Sequence, residues 1–90
     1  MKIFDWDENK NDWLKKTRKI SFEEVIQAIN DGDLLDTVVN PHMKKYPGQK
    51  VFIVWLRDYI YLVPFIELKD KYVLKTVFPS RKAMKEYGRK

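Results

Sequence analysis

The sequence predicts an α+β domain in which a short N-terminal strand and two helices precede an antiparallel sheet of about four strands and a C-terminal helix. Three observations support this fold class. ISFEEVIQAINDG (20–32) has the capping and the spacing of an amphipathic helix. KVFIVWLR (50–57) and YIYLVPFIEL (59–68) are dense apolar runs that only one residue separates. PSRKAMKEY (79–87) follows a further strand pattern with a helix start and an apolar stripe.

Length and composition limit the class of protein. Ninety residues predict one domain over positions 1–90, with one modest core. The chain has no cysteine, which excludes disulfides and thiolate metal sites. No apolar run approaches the ~20 residues of a membrane span, and residues 1–10 are too charged for a signal peptide. We therefore expect a soluble cytoplasmic protein that does not enter membranes.

The N-terminal part predicts a strand followed by a helix. Residues 2–6 alternate as a short strand does, and Asp7 is a suitable N-cap for a helix that reaches about Arg18. Lys10 lies one turn before Trp13 on this helix. We expect three side chains of the helix to share one face: Trp13, Leu14 and Thr17.

The second helix carries the strongest local signal. Ser21 and Glu24 form an S-x-x-E capping box, and Ile20 and Val25 have the spacing of a hydrophobic staple. Gly32 suits the left-handed position that ends a helix. The apolar side chains that recur at helical spacing are Phe22, Val25, Ile26 and Ile29.

The apolar runs predict the centre of the sheet. Residues 50–57 and 59–68 are apolar on both faces, as central strands are, and the short step at Asp58 requires a tight hairpin. Pro64 has no N–H for the ladder, so we expect a bulge there or an amide position that faces an edge. The remaining segments are a strand at 33–40, a loop at 41–49 and a last strand at 71–78.

The chain ends in a predicted cationic helix. Pro79 stops the last strand, and Ser80 is placed to cap a helix that begins directly after it. Arg81 and Lys85 share one face, and the apolar stripe comprises Ala83, Met84 and Tyr87. An apolar stripe predicts a docked helix rather than a frayed tail.

Charge is distributed unevenly along the chain. Residues 1–20 hold six Lys and Arg against four acids (+2), residues 21–40 hold five acids and no Lys or Arg (−5), and residues 41–90 hold twelve Lys and Arg against four acids (+8). A basic part of this kind favours a polyanionic partner such as nucleic acid, because phosphate neutralisation releases counterions. The alternative is a basic surface that only confers solubility.

The common catalytic signatures are absent from the sequence. It has no Gly-rich phosphate loop, no G-x-S-x-G and no H-E-x-x-H motif, and its only histidine is His42. The residues suggest neither a cofactor nor a metal site. The remaining candidates are cationic and phenolic side chains. Such groups can cleave RNA without a metal if they supply a base for the 2′-hydroxyl, a cation for the charge on phosphorus and an acid for the leaving 5′-oxygen.

Two stretches of the chain resemble a known family. FDWDENK (4–10) is followed by ISFEEV (20–25) at a characteristic separation, and PSRKAMKEY (79–87) is a basic strand-to-helix ending. With these motifs the chain resembles the BrnT-type toxins of bacterial type II toxin–antitoxin pairs, within the RelE-like ribonuclease toxins. The resemblance covers almost the whole chain.

The resemblance implies an antiparallel sheet flanked by helices, RNA as substrate, metal-independent cleavage that inhibits translation, and a cognate antitoxin, which in this family can be a ribbon-helix-helix protein. Lys10, Lys50 and Arg81 match basic positions of the family. The chain departs from the family where members commonly read Lys-His-Gly, since the matching residues are Thr17, Arg18 and Lys19. An Arg inside the family's last strand is replaced by Thr76 or, with a shift of one residue, by Lys75.

On this basis four residues are expected to be catalytic: Arg81 to stabilise the charge on phosphorus, Lys50 to hold phosphate, and Tyr87 or Lys75 to transfer protons. The expected RNA-binding residues are Lys10, Lys16, Arg18, Arg57, Lys82 and Lys85. Two alternatives stay open. One is a module that binds RNA or DNA without cleaving it, and the other is a protein-interaction domain that uses the same basic face.

Overall fold

The computed structural model describes residues 3–39 and 49–88. Its elements are β1 (Ile3–Trp6), α1 (Glu8–Thr17), α2 (Phe22–Asn30), β2 (Leu34–Val39), β3 (Gln49–Leu56), β4 (Tyr59–Glu67), β5 (Lys71–Leu74), β6 (Phe78–Pro79) and α3 (Arg81–Tyr87). The predicted α+β class is confirmed. The predicted loop at 41–49 and His42 lie outside the described residues, apart from Gln49, which begins β3.

The sheet has six strands in the order β1-β5-β4-β3-β2, and the short β6 pairs with β4 beyond the end of β5. β1 runs parallel to β5, whereas the other pairs are antiparallel. The predicted sheet of about four antiparallel strands was therefore too small, because the N-terminal strand joins it in the parallel direction and the last predicted strand is divided into β5 and β6. A parallel neighbour needs a long connection, and here two helices and three strands separate β1 from β5 along the chain.

The two faces of the sheet carry different helices. α1 and α2 cover one face, where Leu14, Phe22 and Val25 pack with Phe52 and other strand residues in the main core. On that face Phe52 stacks on Phe65, with ring centroids 3.8 Å apart. On the opposite face α3 packs in a smaller cluster that contains Ile53, Ile60, Ala83, Met84 and Tyr87.

The predicted N-terminal caps of the three helices are confirmed. The side chains of Asp7, Ser21 and Ser80 accept hydrogen bonds from backbone N–H groups in the first turns of α1, α2 and α3. Each bond pairs a backbone donor that the helix itself leaves unpaired. Gly32 adopts a φ of 92°, which confirms the predicted left-handed end of α2.

The β3–β4 hairpin turns on Arg57 and Asp58, which have φ values of 56° and 60°. Two left-handed residues in succession are typical of the type I′ turn that joins two-residue hairpins. The tight hairpin expected between the two apolar runs is thus confirmed.

The predicted last strand, 71–78, is divided in two. Of the two expectations at Pro64, the bulge is absent, because the β3–β4 register passes through it without a shift, and the amide position faces the side of β4 where β5 ends. Lys75 donates its backbone N–H to the carbonyl of Pro64 at 2.8 Å, but the reciprocal bond needs an N–H that proline lacks. The chain leaves the ladder over residues 75–77 and rejoins β4 opposite Leu62 as β6.

Candidate nucleic-acid interface

A hydrogen bond joins the residues between β5 and β6 to the end of α1. Arg18 follows α1, and its Nη1 donates to the backbone carbonyl of Val77 at 2.7 Å. This bond joins residues 59 positions apart and satisfies a carbonyl that lies outside the ladder. We call residues 75–81 the interrupted edge. Arg18 thus has a defined position beside this segment.

Two further cations flank the same carbonyl. Lys75 precedes Val77 by two residues and Arg81 follows it by four. Even a fully extended chain keeps their Cα atoms within about 7 Å and about 14 Å of that of Val77. Both side chains belong to exposed residues. The interrupted edge therefore carries two exposed cations of its own, Lys75 and Arg81, and the fold adds a third, Arg18, from the end of α1.

Trp13 lies on the exposed side of α1. The side chain of Leu14 is fully buried, whereas Trp13 is 42% exposed, so the expectation that they share a face was wrong. Lys10 Nζ lies 4.3 Å from the centroid of the Trp13 ring, and the guanidinium carbon of Arg18 lies 5.1 Å from it. The exposed indole and the cations of the interrupted edge are thus contiguous through Arg18.

α3 presents its cations to solvent as predicted. Ala83 is buried, Met84 and Tyr87 pack with it against the sheet, and three cationic residues are exposed: Arg81, Lys82 and Lys85. Within the described part of the chain, none of these three forms an ion pair. The Ala83 N–H is bonded to Ser80 Oγ at 3.0 Å, so this donor of the first turn is not open to an anion.

Tyr87 is engaged by an acidic residue. Its hydroxyl donates to Asp36 Oδ2 at 2.9 Å, and this hydrogen bond to a carboxylate raises the pKa of Tyr87. A raised pKa keeps the phenol protonated and makes it a weaker proton donor. Asp36 was not recognised from the sequence, because its partner is 51 residues away and only the β2 register brings them together.

Two other predicted cations are paired elsewhere. Lys50 lies on the α1–α2 face, as its neighbour Phe52 on β3 does, and its Nζ lies 3.1 Å from Glu67 Oε1. Arg57 forms a bidentate ion pair with the carboxylate of Glu24, with N···O distances of 2.6 and 2.7 Å. Lys16 is exposed in the last turn of α1.

The structure therefore brings together four of the predicted residues and separates others. Lys75 and Arg81 belong to the interrupted edge, Arg18 bonds to it, and Lys10 is linked to Arg18 through Trp13, while Lys50 and Tyr87 belong to opposite faces of the sheet. The four residues expected to be catalytic do not form one compact group. Trp13 was not predicted as a site residue, yet Lys10 and Thr17 at positions i−3 and i+4 already put it on a polar face.

Residues 3–39 and 49–88 lack the features of two other kinds of site. No group of three or more His, Cys, Asp or Glu side chains is arranged to hold a metal ion there. None of the helices in these ranges has the length and apolar character needed to cross a membrane. Comparison with family models, with curated proteins and with solved structures finds no match to this chain.

Proposed function

We propose that this chain is the toxin of a type II toxin–antitoxin pair, and that it binds and cleaves RNA at the interrupted edge. The observation that supports the proposal most is the hydrogen bond from Arg18 to Val77, which places a cation from the end of α1 beside the segment that carries Lys75 and Arg81. Several cations along one segment suit a phosphate backbone, which offers a row of anions. The resemblance to BrnT-type toxins supplies the type of system.

The chemistry proposed is attack of the ribose 2′-oxygen on the adjacent phosphorus. The 2′-hydroxyl loses its proton to a base, the P–O5′ bond breaks, and the departing 5′-oxygen takes up a proton, which leaves a 2′,3′-cyclic phosphate. Arg81 is proposed to stabilise the charge that develops on the phosphoryl oxygens, since a guanidinium can donate to two oxygens at once. Lys75 is proposed to take part in proton transfer, because it lies on the same segment as Arg81.

The proposed partner is a cognate antitoxin. Arg81, Lys82 and Lys85 form no ion pair within the described residues, so their charges are available to acidic groups of another protein. An antitoxin that covered α3 and the interrupted edge would exclude RNA from the same cations. Neutralisation would then follow from competition for one surface.

A second candidate function is RNA binding without cleavage. It is favoured by the engagement of two expected catalytic residues, since Tyr87 donates to Asp36 and Lys50 pairs with Glu67. The cations at the interrupted edge would serve this function equally well. The two candidates differ only in whether the bound RNA is cut.

The proposal is tested by inducing the chain alone in bacteria and by incubating the purified chain with RNA in the presence of a chelator. The expected result is growth arrest and RNA fragments that end in a cyclic phosphate. RNA binding without fragments would favour the second candidate. Normal growth together with no RNA binding would contradict both.

A further inference from the structure

The exposed indole of Trp13 contacts two cations, one that is held in place and one that is free to move. Arg18 is held by its bond to the carbonyl of Val77, whereas Lys10 contacts the ring and forms no ion pair within the described residues. Lysine has a long flexible stem, so its ammonium leaves a ring at little cost in strain. The cation–π contact at an exposed site is also weak. The ring face under Lys10 is therefore accessible to a competitor.

An RNA base is a suitable competitor for that face. Single-stranded nucleic acids bind where a positive surface follows the backbone and aromatic side chains stack on the bases. Both parts are contiguous here, because Arg18 contacts the Trp13 ring and also joins α1 to the segment that carries Lys75 and Arg81. In a duplex the base faces are occupied by neighbouring base pairs, so only an unpaired base can stack on the indole.

We propose that Trp13 is a stacking platform for one unpaired base, and that the RNA bound at the interrupted edge is single-stranded. This inference rests on the proposed function, since it assigns the form of RNA that the same surface binds. On binding, the base replaces the ammonium of Lys10 over the ring, and Lys10 moves to a neighbouring phosphate. Arg18 keeps its bond to Val77 and holds the platform next to the backbone site.

The test measures the affinity of three labelled probes with 2′-O-methyl sugars, which lack the nucleophile for cleavage. They are a short single strand, the same strand with abasic sugars at its central positions, and a duplex of equal length. The variants are Trp13→Ala, Trp13→Phe and, as a matched control, Leu35→Ala. Leu35 is also 42% exposed but lies on β2, at the opposite side of the sheet from β1 and β5.

The expected result is that Trp13→Ala weakens binding of the intact single strand by about 5- to 150-fold, the range found for loss of one base–aromatic stack. Binding of the abasic strand and of the duplex should change by less than about twofold, since phosphate contacts remain. Trp13→Phe should retain most of the affinity, because it keeps an aromatic face. Leu35→Ala should bind all three probes as the wild type does.

A second measurement does not depend on how Trp13→Ala folds. The intact single strand should quench part of the tryptophan fluorescence of the wild type, and Trp13→Phe should abolish that quenching while Trp6 and Trp55 still emit. RNA binding that neither Trp13 variant alters, or an equal loss for intact and abasic strands, would overturn the stacking platform alone. Failure of the wild type to bind any probe would overturn the proposed function as well.

Discussion

Arg81 is the residue on which the proposed chemistry depends most. It is the first residue of α3 and directly follows the residue that caps the helix, and its side chain is exposed. Lys82 follows it on the same helix, but it lies on a different side of the helix axis, about 100° away. The two residues thus allow the effect of position to be separated from the effect of charge.

We predict that Arg81→Ala lowers the rate of RNA cleavage by about 10²–10³-fold, the usual cost of removing one donor to a transition-state oxyanion. Lys82→Ala should have a smaller effect. Both variants should keep the unfolding free energy within about 0.5 kcal/mol of the wild type, since the side chains are exposed and unpaired among the described residues. Cleavage rates and thermal midpoints measured on the same preparations check this.

Either of two results would contradict the role of Arg81. Full cleavage by a folded Arg81→Ala variant would remove it from the chemistry. Loss of folding would show that the residue supports the structure instead.

At this scale the sequence identified the cations but not their partners. Lys50 pairs with a residue 17 positions away and Arg57 with one 33 positions away. Such pairs depend on strand register and on where α2 lies against the hairpin, which no local pattern encodes. The sequence therefore could not distinguish the cations that are free to bind a ligand from those that fasten the fold.

Among the elements, α1 and α2 are joined by a buried polar residue. Asn11 is fully buried, and its Oδ1 accepts from the Phe22 N–H at 2.8 Å while its Nδ2 donates to Glu23 Oε1 at 2.8 Å. One side chain therefore satisfies a backbone donor at the start of α2 and fixes the angle between the helices. This arrangement positions the exposed face of α1, which carries Trp13.

We predict that Asn11→Ala lowers the free energy of unfolding by about 1–3 kcal/mol, because it leaves the Phe22 N–H buried without a partner. The matched control is Asn9→Ala on the exposed side of the same helix, which should change that free energy by less than about 0.5 kcal/mol. Chemical denaturation of the three proteins measures the difference. Equal stability of the two variants would show that the Asn11 bridge contributes nothing.

The same bridge predicts a dependence on pH. The hydrogen bond from Asn11 lowers the pKa of Glu23, so the ionised form is favoured in the folded protein. The contribution to stability is fully present above the ordinary pKa of a glutamate, and it is lost as pH falls through the lowered folded-state pKa. Glu23→Gln should therefore flatten this part of the acid decline in thermal midpoint, and an identical decline in both proteins would contradict it.

Element ends were predictable where their cause is local. The caps at Asp7, Ser21 and Ser80 each bond within three residues, so the sequence shows them directly. The division of the last strand was not predictable in the same way. It depends on Pro64 lying opposite Lys75, and therefore on the register of β4 with β5.

At the scale of the whole molecule, the proposed site takes residues from helices on both faces of the sheet, since α1 carries Trp13 and α3 carries Arg81. The acidic α2 and the cationic α3 lie on opposite faces, and the basic segment 75–81 connects the sheet to α3. The fold class was readable from the sequence, but the parallel pairing of β1 with β5 was not, since its partners are about 70 residues apart. That pairing places the start of α1 beside the end of β5, where the interrupted edge begins.

The salt dependence of RNA binding tests the central claim, that RNA binds at the interrupted edge, most directly. The logarithm of the association constant for a single-stranded 2′-O-methyl probe should fall linearly with the logarithm of the salt concentration, by about 0.7 per phosphate contact. If Lys10, Arg18, Lys75 and Arg81 each neutralise one phosphate, the slope should be about −3. Lys75→Ala should reduce its magnitude by about 0.7, whereas Lys69→Ala, which removes the same charge beyond the other end of β5, should leave it unchanged. Binding that does not respond to salt, no binding at low salt, or an equal effect of the two lysine substitutions would contradict the account.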